Sequence, residues 1–148
     1  MTPAELQQYL RTRIPLSAAM QVEVRRADVA GVELYAPLEP NTNHRDTVFG
    51  GSAATLAILA AWCALHVRLL AAGLAGRIVI HSNTMNYERP IVAGFTATSQ
   101  PPAADEWQKL AAIVARGRMA RARMTAVLEC QGEQVGQFDG QFAVLPPG

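Results

Sequence analysis

Residues 37–73 read PLEPNTNHRDTVFGGSAATLAILAAWCALHVRLLAAG. The second half of this stretch decides the fold. From Ala53 to Leu65 every residue except Thr55 is apolar, and after His66, Val67 and Arg68 more aliphatic residues lead to Gly73, a suitable C-terminal cap. A run of this length fits a buried helix better than a membrane span, which needs about 20 such residues. A helix that is apolar nearly all round must be covered on most sides. A curved sheet is the economical cover.

The flanking sequence supplies one. Thr2-Pro3-Ala4-Glu5 carries an N-cap, a proline at the first helical position and a capping-box glutamate, which predicts a short helix to about Arg11. Met20–Arg26 and Gly31–Leu38 read as strands; Val32, Leu34, Ala36 and Leu38 alternate with Glu33 and Tyr35. After the long helix, Arg77–Tyr87 and Ile91–Gln100 read as strands separated by Glu88-Arg89-Pro90. Met119–Cys130 and Gln134–Leu145 follow as a pair joined through Gly132. Residues 101–115 open with Pro-Pro and read as a loop with an irregular turn. The expectation is one α+β domain over residues 1–148. It has an N-terminal helix (1–15), first strands (16–38), a polar loop (39–49), the central helix (50–73) and the remaining antiparallel strands (77–146).

The first half of the quoted stretch carries the candidate chemistry. Asn41, Thr42, Asn43, His44, Arg45, Asp46 and Thr47 put seven hydrogen-bonding side chains on an irregular segment that runs through Val48-Phe49-Gly50-Gly51 into the helix. A helix start needs one capping residue, and this loop carries more polar groups than capping requires. The free N–H groups of a helix start beside amide, imidazole and carboxyl groups are how a site for a carbonyl or an anion is built. Gly50 and Gly51 would let a ligand approach the backbone closely.

Composition excludes several classes. At 148 residues, with half of them hydrophobic, 17% charged and a formal net charge of +1, there is neither the basic excess of a nucleic-acid or membrane-surface binder nor an acidic tail. Cys63 and Cys130 have no paired spacing and read as buried free thiols of a reducing compartment. The N-terminus lacks the pattern of a secretory signal, so the cytoplasm is the default. No phosphate loop, metal-ligand cluster or Ser/His/Asp spacing is visible, and no metal or cofactor is expected.

The order of elements and the loop resemble the hotdog fold of acyl-thioester enzymes, in which a sheet wraps one apolar helix opened by a Gly-Gly pair. Asn43-His44-Arg45-Asp46-Thr47-Val48-Phe49-Gly50-Gly51 is similar to the N-x-x-G-x-x-(H/F)-G-G signature of acyl-CoA thioesterases, with Asp46 where those often have glycine. One branch is closer still: the putative-thioesterase hotdog domain that occurs alone or fused behind a GNAT acetyltransferase. Its P-L-x-P-N-x-N pattern is matched by Pro37 to Asn43, its F-x-G-S by Phe49 to Ser52, and its Q-F-D-G by Gln137 to Gly140. Members of that branch are similar to malonyl-acyl-carrier-protein decarboxylases, in which the second asparagine of the motif is critical. Here that is Asn43. The resemblance implies a malonyl-acyl carrier protein decarboxylase that yields acetyl-acyl carrier protein for the start of fatty acid synthesis.

Chemistry discriminates between the activities this resemblance allows. Many hotdog thioesterases carry Asp or Glu on the central helix, seven residues after the second glycine; that position is Ile58, and no carboxylate occurs from Thr47 to Ile80. Without a positioned base, hydrolysis loses about two to four orders of magnitude. His44 or Asp46 could substitute, although both lie on the loop. Decarboxylation needs no base, and a neutral amide such as Asn43 could orient the malonyl carboxylate while N–H groups near Gly50 and Gly51 hold the developing oxyanion. Asn41, Phe49 and Ser52 would support the site, although Asn41 after Pro40 also suits a turn and Ser52 reads as a helix cap. A carbon–carbon lyase, a thioester hydrolase and a non-catalytic acyl-binding module remain as three readings.

Other polar residues divide between bland and functional readings. His66 reads as a core or interface histidine with its hydrogen bonds satisfied. Strict alternation in the polar strand sends His81, Asn83, Met85 and Tyr87 to one face, where Asn83 and Tyr87 could line an acyl pocket or belong to a subunit interface. Arg116, Arg118, Arg121 and Arg123 are either a solvated strand edge or a docking patch for an acyl carrier protein or for coenzyme A phosphates. One layer of sheet around one helix leaves an edge half-formed, so a homodimer or a dimer of dimers is expected.

Overall fold

The computed structural model describes residues Met1–Gly148. In chain order the elements are α1 (Pro3–Arg13), α2 (Pro15–Ala19), β1 (Glu23–Asp28), β2 (Gly31–Ala36), a 3-10 turn (Glu39–Asn41) and α3 (Gly50–Ala71). They continue with β3 (Arg77–Tyr87), β4 (Phe95–Ser99), α4 (Ala104–Ala115), β5 (Ala120–Cys130) and β6 (Glu133–Leu145). The strands form one six-stranded sheet in the order β1-β2-β4-β5-β6-β3, with every neighbouring pair antiparallel. The expected wrapping of one long apolar helix by a sheet is therefore what forms.

Local chemistry sets the ends of α1. The Thr2 hydroxyl accepts from the Glu5 N–H at 3.1 Å, and Glu5 accepts in return from the Thr2 N–H at 2.9 Å. This closes the capping box at a helix begun by Pro3. The helix runs two residues beyond Arg11, and Pro15 then starts a second short helix where the first strands were expected. As a result β1 begins at Glu23 and not at Met20.

Packing explains why α3 is rich in alanine. Ala53, Ala57, Ala60, Ala61 and Ala64 are buried along with Leu56 and Leu65. Small side chains let the helix backbone approach the sheet, where Leu34, Phe95, Ala97, Met124, Phe138 and Phe142 fill the inner face. Each of the large side chains contributes about 1.5–3 kcal/mol by leaving water. Cys63 lies in this layer with no exposure, and burial pushes its thiol far above the ordinary range; Cys130 is buried and free as well.

The cover is not complete. Gly51, Thr55, Ile58, Trp62 and His66 form a stripe along α3 that is only partly buried or exposed. At its far end Trp62 and His66 stack at 4.6 Å, and Tyr9 of α1 lies 5.5 Å from the imidazole. Trp62 Nε1 donates to the Ile78 carbonyl at 3.2 Å. His66 thus sits in a core-like stack as expected, but its Nε2 has no partner, contrary to the expectation that its hydrogen bonds are satisfied. Partial burial lowers its pKa. Along the same side, β3 pairs only with β6, and nearly all of its residues are exposed, including Val79, Ile80 and Tyr87.

Three sequence expectations are corrected. Residues 101–115 contain a twelve-residue helix, α4, which buries Trp107, Leu110 and Val114. The strand expected from Ile91 to Gln100 shortens to Phe95–Ser99, because Ile91 binds the loop before α3 through its carbonyl (2.8 Å from the Val48 nitrogen). Finally, the β3–β6 register shifts between Ile80 and Ser82. The bulge at His81 removes it from the face shared by Asn83, Met85 and Tyr87.

Candidate active site

Asn41 anchors the polar loop. It is 2% exposed, and its Nδ2 donates to the carbonyls of Met20 at 3.0 Å and Pro37 at 2.8 Å, while its own carbonyl accepts the Phe49 N–H at 2.7 Å. The turn role expected after Pro40 is therefore present, with the side chain buried as a pin. Its Oδ1 has no partner.

Beyond Asn41 the chain doubles back. Thr42 and Val48 form an antiparallel bridge, and the Asn43 N–H donates to the Thr47 carbonyl at 2.8 Å. The Asn43 side chain organises the turn from inside. Its Oδ1 accepts from the N–H groups of Arg45 at 2.8 Å and Thr47 at 3.3 Å; its Nδ2 donates to the Thr47 hydroxyl at 2.9 Å and more weakly to the Val48 carbonyl at 3.4 Å. Asp46 has φ 59°, the left-handed region. A related signature places glycine there, and aspartate is among the few other residues that tolerate it. His44, Arg45 and Asp46 form the exposed tip of the turn.

The turn delivers the chain to α3 without a side-chain cap. Phe49 is the N-cap, in extended conformation (φ −58°, ψ 132°), and its side chain accepts from none of the N–H groups of the first turn. Ser52 lies inside the helix, so its expected role as a cap is corrected. The N–H groups of Ser52 and Ala53 both reach the Phe49 carbonyl, at 2.9 and 3.1 Å. The N–H groups of Gly50 and Gly51 have no partner. Two donors at the positive end of a 22-residue helix are thus free for an oxygen of a ligand. A side chain at Gly51 would collide with the Phe49 ring, and one at Gly50 would touch the Tyr87 ring at 3.4 Å.

Tyr87 closes the other side. Its hydroxyl donates to the Gly50 carbonyl at 3.2 Å. A pocket of about 380 Å³ lies between them, lined among others by Thr47, Val48, Ala53 and the Glu88–Ile91 segment. The two charges on this rim are already engaged. Glu88 accepts from Gln134 at 3.0 Å and Gln137 at 3.3 Å, and Arg89 pairs with Glu133 at 2.6 Å.

The structure thus brings Thr47, Gly50 and Tyr87 together around one pocket, with Asn43 shaping the turn behind Thr47. Asn83 does not line it. That residue borders a separate polar hollow of about 460 Å³ together with Thr84, Arg123 and Asp139. Of the four arginines, Arg123 is bonded to Asp139 by Nε, 3.0 Å from each carboxylate oxygen, and by Nη2. The hydrogen bonds to Arg123 hold the Asp139 carboxyl below the usual range. Arg116, Arg118 and Arg121 remain exposed and unpaired. Thr47 stands in the sequence only as one of the seven polar side chains of the loop, and Glu88 and Arg89 only as part of a break between strands. The Glu-Arg-Pro break after β3 is the only sequence signal for Glu88 and Arg89.

The Q-F-D-G segment is distributed around the same strand: Gln137 holds Glu88, Phe138 is in the core, Asp139 holds Arg123, and a side chain at Gly140 would press on the rings of Phe138 and Phe142.

Comparison with known proteins bears on the family and the fold. Residues 3–146 match a family model described as "Putative thioesterase (yiiD_Cterm)". A solved structure from Shewanella oneidensis, described as a putative thioesterase, is 26% identical over 97% of both chains, with a TM-score of 0.88. A Chlorobaculum tepidum protein of unknown function is 26% identical over 99% of this chain and 98% of its own, at 0.89. A Haemophilus influenzae thioesterase, 14% identical over 99% of this chain and 92% of its own, shares the fold at 0.76. With a hotdog sheet around its single long helix and a match spanning nearly its whole length, the chain belongs to this thioesterase-like family.

Proposed function

We propose that the protein decarboxylates a malonyl thioester to an acetyl thioester, with malonyl-acyl carrier protein as substrate and a role at the start of fatty acid synthesis. One observation carries this reading. Two free amide donors stand at the start of α3, while the helix offers no carboxylate as a base. Ile58 occupies the position of the usual acid, and Glu88 at the pocket rim is tied to two glutamine amides.

The steps follow from charge. Asn43 Nδ2 has one firm partner and one long contact at 3.4 Å, so its weakly held second N–H can be shared with the malonyl carboxylate while the firm bonds of the turn stay in place. Held perpendicular to the thioester plane, the C–C bond breaks and its electrons pass into the thioester oxygen. The Gly50 and Gly51 N–H groups receive that oxyanion, an interaction typically worth about 2.7–4 kcal/mol per donor. A site walled by Val48, Ala53 and Ile91 favours loss of a charged carboxylate as neutral carbon dioxide. Incubation with malonyl and long-chain acyl thioesters, with products identified by mass, tests the reading: acetyl thioester is expected.

Hydrolysis is the second reading, favoured by the description of the family itself. Its base would have to be His44 or Asp46 at the exposed turn tip, and free thiol in the same assay would establish it. Unchanged thioesters would leave the third class, an acyl-binding module.

Assembly follows from the uncovered side. The free edge of β3 and the open stripe of α3 are the surfaces a second copy would cover, giving a homodimer or a dimer of dimers. Sedimentation at micromolar concentration is expected to show a dimer or larger; a monomer would refute it. The carrier, acyl carrier protein or coenzyme A, would dock at Arg116, Arg118 and Arg121, since Arg123 is neutralised by Asp139. Arg118→Glu with Arg121→Glu should raise KM at least several-fold at low salt, with the effect shrinking as ionic strength rises. Unchanged kinetics at low salt would leave these arginines as a solvated face.

A further inference from the structure

We propose that Tyr87 is the proton donor that completes the decarboxylation, an inference that rests on the reading of the site just given. Cleavage leaves an electron pair on the α-carbon, delocalised into the thioester oxygen, as carbon dioxide departs. Before acetyl thioester can leave, the α-carbon must form a C–H bond. A phenol is a far stronger acid than the α-carbon of a thioester, so the transfer runs downhill. The Tyr87 O–H bond breaks, its proton goes to carbon, and the phenolate recovers a proton from water.

Geometry singles out this residue. An acyl group whose oxygen lies on the Gly50 and Gly51 N–H groups has its α-carbon beside Gly50, and the Tyr87 hydroxyl is 3.2 Å from the Gly50 carbonyl. At 3.2 Å that bond is longer than is usual for a hydroxyl donor, so the hydroxyl is free to swing to another acceptor. The alternatives nearby are engaged or unsuited: Glu88 is bound by two amides and Arg89 by Glu133, while the Thr47 hydroxyl, which accepts from Asn43 and keeps its own proton, is an alcohol and a far weaker acid than a phenol. His44 and Asp46 lie at the turn tip.

The backbone holds Tyr87 in place on both sides. It pairs with Gly136 at the end of β3, and the Glu88 and Arg89 N–H groups after it both donate to the Val135 carbonyl, at 2.9 and 3.2 Å. At 58% exposure the residue also meets the water that must restore its proton.

Tyr87→Phe keeps the ring against Gly50 and removes only the hydroxyl. With malonyl thioester, kcat should fall by about 10²–10⁴-fold while KM stays within about threefold, as expected for loss of a general acid. Ring-fluorinated tyrosine at position 87, a more acidic phenol of nearly the same shape, should move the high-pH decline of kcat to lower pH. A Tyr87→Phe protein with the wild-type kcat, or a fluorinated one with an unmoved pH profile, overturns the inference and leaves the proposed function standing. A wild-type protein that forms no acetyl thioester overturns both.

Discussion

Asn43→Asp is expected to abolish turnover of malonyl thioester in a protein that still folds. The substitution keeps the oxygen that accepts from the Arg45 and Thr47 N–H groups, so the main brace of the turn survives. It removes the Nδ2 donor and puts a negative charge where the substrate carboxylate must lie. Two like charges about 4 Å apart at an effective dielectric near 20 repel by about 4 kcal/mol, or about three orders of magnitude in rate. Asp46→Asn should be tolerated. Asparagine accepts the left-handed backbone at φ 59° as aspartate does, and decarboxylation needs no base. If the protein is a hydrolase using the loop carboxylate, the order inverts and Asp46→Asn loses about two orders of magnitude or more. Acetyl thioester formation by both variants, measured with a sedimentation check on each, decides it. An Asn43→Asp variant that is folded, dimeric and still decarboxylating ends the decarboxylase reading.

Gly50→Pro should separate catalysis from stability at a single atom. Gly50 is the first residue of α3, where proline is favoured, and Phe49 before it already has the extended conformation that a following proline requires. The new Cβ would meet the Tyr87 ring at an ordinary 3.4 Å. No intramolecular hydrogen bond is lost, because the Gly50 N–H has no partner. Stability should therefore hold or rise by the few tenths to about 1 kcal/mol typical of a compatible proline, with the thermal midpoint unchanged or higher. Turnover should nevertheless fall by about 10²–10³, the usual cost of one oxyanion donor. A folded Gly50→Pro protein with undiminished kcat would show that this amide receives no charge during the reaction.

Legibility in the sequence followed the physics of each element. The long helix was clear because an apolar run of that length has few alternatives, and α1 was clear because a capping box is a local signal. The twelve residues of α4 look like a loop in the sequence. Pro101-Pro102 suggested an irregular segment, although Trp107, Leu110 and Val114 repeat at helical spacing just beyond it. The early end of β4 depends on Ile91 binding Val48, a contact between residues 43 positions apart that no local pattern reveals.

The site divided in the same way. The loop and the two glycines stood out by residue type. That Asn43 makes its firm bonds inside the turn, that Arg123 is neutralised across two strands, and that Asn83 borders another hollow are facts of three-dimensional pairing. The bulge at His81 breaks the two-residue alternation on which the facing of the polar strand was read.

The unpaired edge of β3 has a further consequence. It lies alongside Tyr87, at the end of the same strand, and Tyr87 closes the pocket against Gly50. If pairing with a second copy holds that strand in place, folding and association become one equilibrium. The melting temperature would then climb with the logarithm of protein concentration, and the turnover per chain would fall on dilution below the dissociation constant. The strand that shapes the site would in that case also make the protein's activity depend on its abundance.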